Sequence, residues 1–347
     1  MNRGKAPAPL ETLAWRDGKL RIIDQTRLPR ELAIMEIADY RHVIAAIRNL
    51  EVRGAPAIGI AAAYGAVLAA EEAVGSPSPE VRSRLRKALS ELRLARPTAV
   101  DLMWAIDRVG EVVDRTDVPD EGLAEAILEV ARRIHCEDLD KSLRMGELGA
   151  SLLPDEATVL THCNAGGLAT GGYGTALAVV FAAWEAGKKI RVVADETRPL
   201  LQGARLTAWE LQRAGIPVTL VCDAAAPWLI GSGEIDAVLV GSDRIAANGD
   251  VANKIGTLGI ALAADASGIP FYVVAPTSTL DPDTLSGEEI PIEERDAEEV
   301  TRIFGIRTAP EGIDVRNPAF DVTPARYVTA IITERGIHRP PYQESLR

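Results

Sequence analysis

Apolar residues set the first elements. From Asp39 onward, Tyr40, Val43, Ile44, Ile47 and Leu50 recur with the 3.6-residue period of a helix that buries one stripe, and Asp39 stands where its carboxylate caps the first turn. A second helix starts at Ala55-Pro56, because proline at a first helical position gives up no bonded N–H, and runs through small residues to Glu72 before Pro77 and Pro79 close it. Further helical periods cover 80–94, 99–113 and 120–149, the last with breaks. Ahead of them, Thr12–Trp15 and Lys19–Ile23 flank Asp17-Gly18, a pair suited to a tight hairpin, so a small antiparallel sheet opens the chain.

After Pro154 the texture changes. Short β-branched runs at 158–161, 190–194, 218–222, 237–240, 271–274 and 327–332 alternate with helical stretches, and each run is nearly all apolar, as strands buried on both faces are. This alternation predicts an α/β fold with a doubly wound, mainly parallel, Rossmann-like sheet. The expected organisation is a helical domain with its small sheet over 1–150 and an α/β catalytic domain over 151–347. In such sheets ligands bind beyond the carboxyl ends of the strands, which directs attention to the residues after each run.

Composition narrows the function classes. The 347 residues exceed one ordinary domain at roughly 150 residues each, and 47% hydrophobic with 25% charged residues describes a chain that buries cores. A net charge of −12 argues against nucleic acid as a partner, so any anion must be met by a few local cations and backbone N–H groups. Cys136, Cys163 and Cys222 have neither CxxC nor metal-ligand spacing, which predicts no disulfide, no metal and a reducing cytoplasm. The first fifteen residues lack a signal-peptide core, and Tyr64 and Gly65 interrupt the alanine-rich stretch 58–70, so no membrane span is expected.

Candidate chemistry follows the strands. Thr161-His162-Cys163-Asn164-Ala165-Gly166-Gly167 leads from the first buried run into a glycine-rich turn and a helix, where a thiol gains thiolate character from nearby N–H groups. By position alone Cys163 is balanced between a reactive thiol and a small buried residue. His162, on the opposite side, is read as structural, and Cys136 and Cys222 as inert. The turn matches neither the dinucleotide fingerprint nor the phosphate-loop pattern.

Past the fourth run, Gly241-Ser242-Asp243-Arg244 sets a carboxylate for acid or base work, against the plainer reading of an ion pair with Arg244. Asn253 and Lys254 cap the next helix or hold a phosphate. Arg53-Gly54-Ala55-Pro56 and Arg96-Pro97-Thr98 put arginines before helix starts, the second with a Thr98/Asp101 capping box. Asp195-Glu196-Thr197-Arg198 reads as a mainly structural salt-bridge network, with Gln202 available to a hydroxyl.

Taken in order, RGAPAIG, RPTAV, THCNAG, DETRPLLQG, GSDRIAANGDVANKIGT, IPIEERD and NPAFD resemble the motif set of the methylthioribose-1-phosphate isomerases over nearly the whole chain. The resemblance implies Cys163 and Asp243 as the catalytic pair and Arg53, Gly54, Ala55, Arg96, Gln202, Asn253 and Lys254 as substrate-binding residues. Ser242 and Gly167 depart from a more usual alanine and Asp101 from asparagine, without removing a reactive group. Ser242 alters the polarity beside Asp243.

The implied substrate is a small sugar phosphate, 5-methylthioribose 1-phosphate, isomerised to 5-methylthioribulose 1-phosphate in methionine salvage without cofactor, by a cytoplasmic homodimer. Because phosphate blocks the anomeric oxygen, the ring must open with the ester in place. Asp243, its pKa raised by an apolar pocket, is the expected acid on the ring oxygen, and Cys163 the base at C2; a direct hydride shift is the rival route. The alternatives are a ribose-1,5-bisphosphate isomerase, which needs additional cations, a non-catalytic regulatory subunit of the translation initiation exchange factor, which needs no reactive pair, and, more distantly, a dinucleotide oxidoreductase.

Overall fold

The structure is a computed structural model that describes residues 10–74, 80–96 and 99–346. Its described residues form two compact units, 10–142 with 166–174, and 143–165 with 175–346.

In the first unit, β1 (Leu13–Arg16) and β2 (Lys19–Ile23) pair antiparallel through Asp17 and Gly18, both at positive φ (52° and 70°), as the hairpin residues require. A third strand, β3 (Ile34–Ile37), pairs with β2 and extends the expected hairpin. Helices α1 (Tyr40–Arg48), α2 (Ala55–Val74), α3 (Val81–Arg93) and α4 (Val100–Asp114) follow the apolar periods, and the Asp39 carboxylate accepts from the Arg41 N–H at 2.8 Å. Pro77, Pro79 and Thr98 lie outside the described residues, and with Thr98 the proposed capping box.

Helix α2 is apolar around its whole circumference because α1, α3 and α4 all pack on it in one core. It is long and apolar enough to cross a membrane by length and composition, but 83% of its most apolar window is buried inside the protein. Helix α5 runs unbroken over Leu123–Ala150 after a 3₁₀ turn at Asp120–Gly122, where the sequence predicted breaks.

The excursion 166–174 is bound within this unit by polar contacts. Thr12 Oγ1 donates to Gly167 O at 2.6 Å, Gln25 Nε2 to Leu168 O at 2.7 Å, and Gly171 N to Asp138 Oδ2 at 2.6 Å. His135 Nε2 lies 3.0 Å from Gly171 O and Nδ1 lies 3.3 Å from the Tyr64 hydroxyl. A neutral ring with its proton on Nε2 satisfies both. Burial holds the His135 pKa below 6.5.

The second unit carries a seven-stranded sheet in the order β16-β15-β10-β7-β4-β5-β6. Its strands are β4 (Glu156–Thr161), β5 (Lys189–Asp195), β6 (Val218–Val221), β7 (Ala237–Val240), β10 (Phe271–Val274), β15 (Ala330–Thr333) and β16 (Gly336–His338). All neighbours run parallel except β16.

Alternate strand residues face two separate cores. Val159, Val192, Leu239, Val274 and Ile332 pack with α6 (Ala176–Glu185) and Leu211 of α7 (Ala208–Arg213). Leu160, Val193, Val238, Val273 and Ile331 pack with α8 (Ala226–Gly231) and α9 (Thr257–Ser267). That split is why each run reads as continuously apolar.

Three expectations need correction. β6 is an edge strand with Thr219 and Leu220 exposed rather than buried on both faces. The last parallel strand begins at Ala330, because Ala325–Tyr327 form a 3₁₀ turn. Beyond the short loop 241–243, the segment after β7 is strand where the sequence reading named no strand. It forms β8 (Arg244–Ala246) and β9 (Val251–Lys254), in a second sheet ordered β11-β8-β9-β14 with β11 (Leu280–Asp281) and β14 (Phe320–Thr323). A small hairpin, β12 (Arg302–Ile303) and β13 (Ile306–Arg307), lies between them in sequence.

His135 predicts a pH signature. Its depressed pKa means that the unfolded chain binds the proton first, so its contribution to stability is full above about pH 6.5 and is lost as pH falls through the lower folded value. Urea unfolding across this window is expected to show a smaller loss of stability on acidification for His135→Gln than for the unmutated chain. An unchanged slope would remove His135 as its source.

Candidate active site

The chain leaves β4, builds β5 and β6 on one side, then returns to build β7 on the other side of β4. Adjacent strands whose connections depart in opposite directions leave a crevice at their carboxyl ends, the usual ligand position of an open parallel sheet. Cys163 follows β4 by two residues, and Asp243 follows β7 by three. Helix α6 after β4 packs in one core, and α8 and α9 in the other, so the two loops border that crevice.

Gly241 lets the loops approach. A Cβ built there would stand 2.9 Å from Ala165 Cβ and 3.5 Å from Thr175 Oγ1, on the turn that carries Cys163 into α6. Ala165 O in turn accepts from Thr175 N at 2.9 Å and Leu177 N at 3.2 Å. Glycine therefore serves close approach here.

Cys163 is half-buried and adopts φ 63°, a left-handed conformation that costs a non-glycine residue about 1–2 kcal/mol. Its N–H donates to Thr197 Oγ1 at 2.9 Å, and its C=O accepts from Thr207 Oγ1 at 2.6 Å. Asn164, buried, donates to Thr207 Oγ1 at 3.1 Å and to Glu210 Oε1 at 2.8 Å. Thr207 closes a π-helical turn, Gly203–Thr207, a rare widening of the helix that is frequent at functional sites. Gly203 permits it, because a Cβ would lie 1.6 Å from Asp195 O. Gln202 stands directly before the turn, buried, with Oε1 lacking a hydrogen-bond partner.

His162 is buried, with Nδ1 3.0 Å from Asp195 Oδ2 and Nε2 2.8 Å from Ile255 O. A carbonyl only accepts, so Nε2 bears a proton, and one further proton is held between Nδ1 and Oδ2. Burial raises the Asp195 pKa, and the hydrogen bond from His162 opposes that rise. His162, Asp195 and Asp223 bring ligand atoms within 4.8 Å of one another. Both ring nitrogens of His162 already have partners, and Asp223 accepts from Thr197 N and Arg198 N at 2.7 Å each. The group reads as a hydrogen-bonded support rather than an ion cage.

The Asp195–Arg198 segment thus holds one buried pair, Asp195 with His162, rather than a network of salt bridges. Its carboxylate meets an imidazole, and Arg198 donates to the carbonyls of Pro199 at 2.6 Å and Val300 at 2.9 Å.

On the Asp243 side, Asp243 N donates to Ala252 O at 2.9 Å and Ser242 Oγ to the same oxygen at 3.3 Å, which ties the residue to β9. Arg244 pairs with Asp281 of β11 at 3.2 Å. Asn253 Nδ2 donates to Thr257 Oγ1 at 3.1 Å at the start of α9, and Lys254 Nζ donates to Ala319 O at 3.0 Å, 4.9 Å from the Phe320 ring centroid. The N-terminus of α9 is already occupied by a carboxylate. Asp321 accepts from Gly256 N at 2.7 Å and Leu258 N at 3.0 Å.

Arg53, Gly54, Ala55 and Arg96 belong to the other unit, where Gly54 takes φ 93° and its carbonyl accepts from Ile58 N at 3.0 Å at the start of α2. Thr207 and Glu210 escaped the sequence reading, Asn164 was given no role there, and Asp195 and Thr197 were read only as part of a structural segment. Their only signal was that threonines and acids stand within a few residues of strand ends.

A half-buried thiol and a carboxylate on loops at the reversal point of a parallel sheet define an α/β enzyme of the doubly wound type. Residues 51–340 match the Initiation factor 2 subunit family. The methylthioribose-1-phosphate isomerase of Pelotomaculum thermopropionicum is 55% identical over 97% of this chain and 93% of its own, and that of Geobacter sulfurreducens is 55% identical over 97% of both. Among solved structures, 5-methylthioribose 1-phosphate isomerase from Pyrococcus horikoshii OT3 superposes with a TM-score of 0.91 at 45% identity, over 97% of this chain and 94% of that one. Translation initiation factor eIF-2B subunit delta from A. fulgidus gives 0.86 at 44% identity, over 97% and 98%. The chain belongs to the Initiation factor 2 subunit family, within its methylthioribose-1-phosphate isomerase group.

Gly241→Val is expected to force the β7 loop away from the Cys163 turn, lowering the melting temperature and abolishing most turnover. Unchanged melting and turnover would mean that the two loops do not need this contact.

Proposed function

We propose that this chain is an aldose–ketose isomerase that converts 5-methylthio-α-D-ribose 1-phosphate to 5-methylthio-D-ribulose 1-phosphate in methionine salvage, the activity for which its relatives are named. The observation that carries the site assignment is the position of Cys163 and Asp243 after the neighbouring strands β4 and β7, where the sheet reverses its winding.

In this reading, Asp243 gives its proton to the ring oxygen, the C1–O bond to that oxygen breaks with its electron pair going to the oxygen, which stays on C4 as a hydroxyl, and C1 is left as an oxocarbenium with its phosphate ester intact. Cys163, as thiolate, takes the C2 proton, and the electron pair of that bond forms the C1–C2 double bond. The thiol then returns the proton to C1, while the C2 hydroxyl loses its proton to Asp243 and becomes the ketone. Each group ends as it began.

Gln202, with an unpartnered buried Oε1, is assigned to a substrate hydroxyl. Asn253 and Lys254 on β9, and Arg53, Gly54, Ala55 and Arg96, are assigned to the substrate by the motif resemblance. Lys254 keeps donors beyond the one given to Ala319 O, which suits a phosphate. The chain is further proposed to act as a cytoplasmic homodimer. Free cysteines fit a reducing compartment, and the exposed edge of β6 with exposed Trp228 on α8 offers a surface for a second copy. Light scattering at several concentrations tests the dimer, for which a monomer at every concentration is the contrary result.

Cys163→Ser and Asp243→Asn are each expected to lower kcat by about 10²–10⁴-fold, the usual reach of a positioned acid or base, and full turnover in either would remove it from the pair. Turnover in deuterated water is expected to place solvent deuterium at C1. Its absence would replace the proton route by a hydride shift from C2 to C1.

A further inference from the structure

Two hydroxyls fix both backbone torsions of Cys163. Thr197 Oγ1 directs its own proton at Asp195 O, 3.2 Å away, and so offers the Cys163 N–H only a lone pair, at 2.9 Å. Thr207 Oγ1 donates to Cys163 O at 2.6 Å and accepts from Asn164 Nδ2, whose other proton goes to Glu210. The first bond restrains rotation about N–Cα and the second about Cα–C. Each hydroxyl thus donates once and accepts once, with no ambiguity of direction.

The two grips are themselves held. Asp223 accepts the N–H groups of Thr197 and Arg198, which sets Thr197 at φ 65°, and Thr207 owes its place to the π-helical turn after Gln202. Thr197, Thr207, Asn164 and Glu210 are all more than nine-tenths buried. A strand end that merely turned into a loop would relax Cys163 to extended backbone and would need none of these bonds.

We propose that Thr197 and Thr207 are positioning residues that clamp Cys163 in its left-handed conformation and so aim its thiol at the reacting carbon. The inference rests on the reading of Cys163 as the reactive thiol. It adds a function for the DETRPLLQG motif: the turn before Gln202 and the widened turn after it bring one hydroxyl each to the same cysteine.

Thr197→Val and Thr207→Val keep the side-chain shape and remove the hydroxyl. Each is expected to lower kcat about 10–100-fold with KM changed by less than about threefold, since misplacement of a reacting group is felt in the chemical step. Thr197→Ser and Thr207→Ser restore the hydroxyl and are expected to recover kcat to within about threefold of the unmutated enzyme. In a Cys136→Ser/Cys222→Ser background, which leaves Cys163 as the sole thiol, the rate of alkylation by iodoacetamide is expected to shift in the valine variants and return in the serine variants.

Valine variants that melt as the unmutated protein does, and keep its kcat and alkylation rate, overturn the proposal. Should the valine variants fail to fold, amide exchange at Cys163 in the unmutated chain decides: protection like that of the β4 amides supports the clamp, and exchange at the rate of an open loop overturns it. Full turnover by Cys163→Ser would instead sink the reactive-thiol reading, while alkylation and exchange still report on the clamp.

Discussion

Where β7 returns beside β4, the pairing of Val159 with Ala237, Leu160 with Val238 and Thr161 with Leu239 brings together two strands that lie far apart in sequence. Everything at the site depends on that register. A shift by one residue would exchange the two cores, because Val159 and Leu239 belong to one and Leu160 and Val238 to the other. It would also slide Gly241 past Ala165, a pairing of small residues that lets the two loops meet at the observed spacing. The hydrophobic sorting of the sheet and the approach of Cys163 to the Asp243 loop are therefore one constraint, expressed once in packing and once in chemistry.

The supports around Cys163 divide the work between charge and geometry. His162 and Asp195 share a proton out of contact with water and link the ends of β4 and β5 to the carbonyl before α9. Thr197 and Thr207 set torsions and carry no charge.

Much of this was legible in the sequence, and the reasons differ from residue to residue. The helix period after Asp39 and the Asp17-Gly18 turn are local patterns, so they transfer directly to structure. Cys163 and Asp243 stood out as candidates because a buried strand announces its own end. The small sheet of β8, β9, β11 and β14 was not legible, since β8 is three residues long and β11 two, and the local pair of β8 with β9 is extended by β11 and β14 from distant parts of the chain. Thr197 and Thr207 were hidden for a related reason. Their function lies in bonds to a backbone over thirty residues away, and nothing in the spelling of a threonine records which carbonyl it will meet.

The occupied N-terminus of α9 bears on how an acidic protein holds an anion. Free N–H groups at a helix start attract a phosphate, and the sequence invites that reading for the segment after Lys254. Here Asp321 of β14 takes the N–H groups of Gly256 and Leu258, and burial raises its pKa while those two bonds oppose the rise. A phosphate near this segment cannot use those N–H groups without displacing a carboxylate from the same chain. The ammonium of Lys254, half-buried beside the Phe320 ring, is the cation that β9 supplies near this segment. The pairing of Asn253 with Asp321 across β9 and β14 thus does two things at once: it closes the helix end to ligands and fixes the strand from which Lys254 projects.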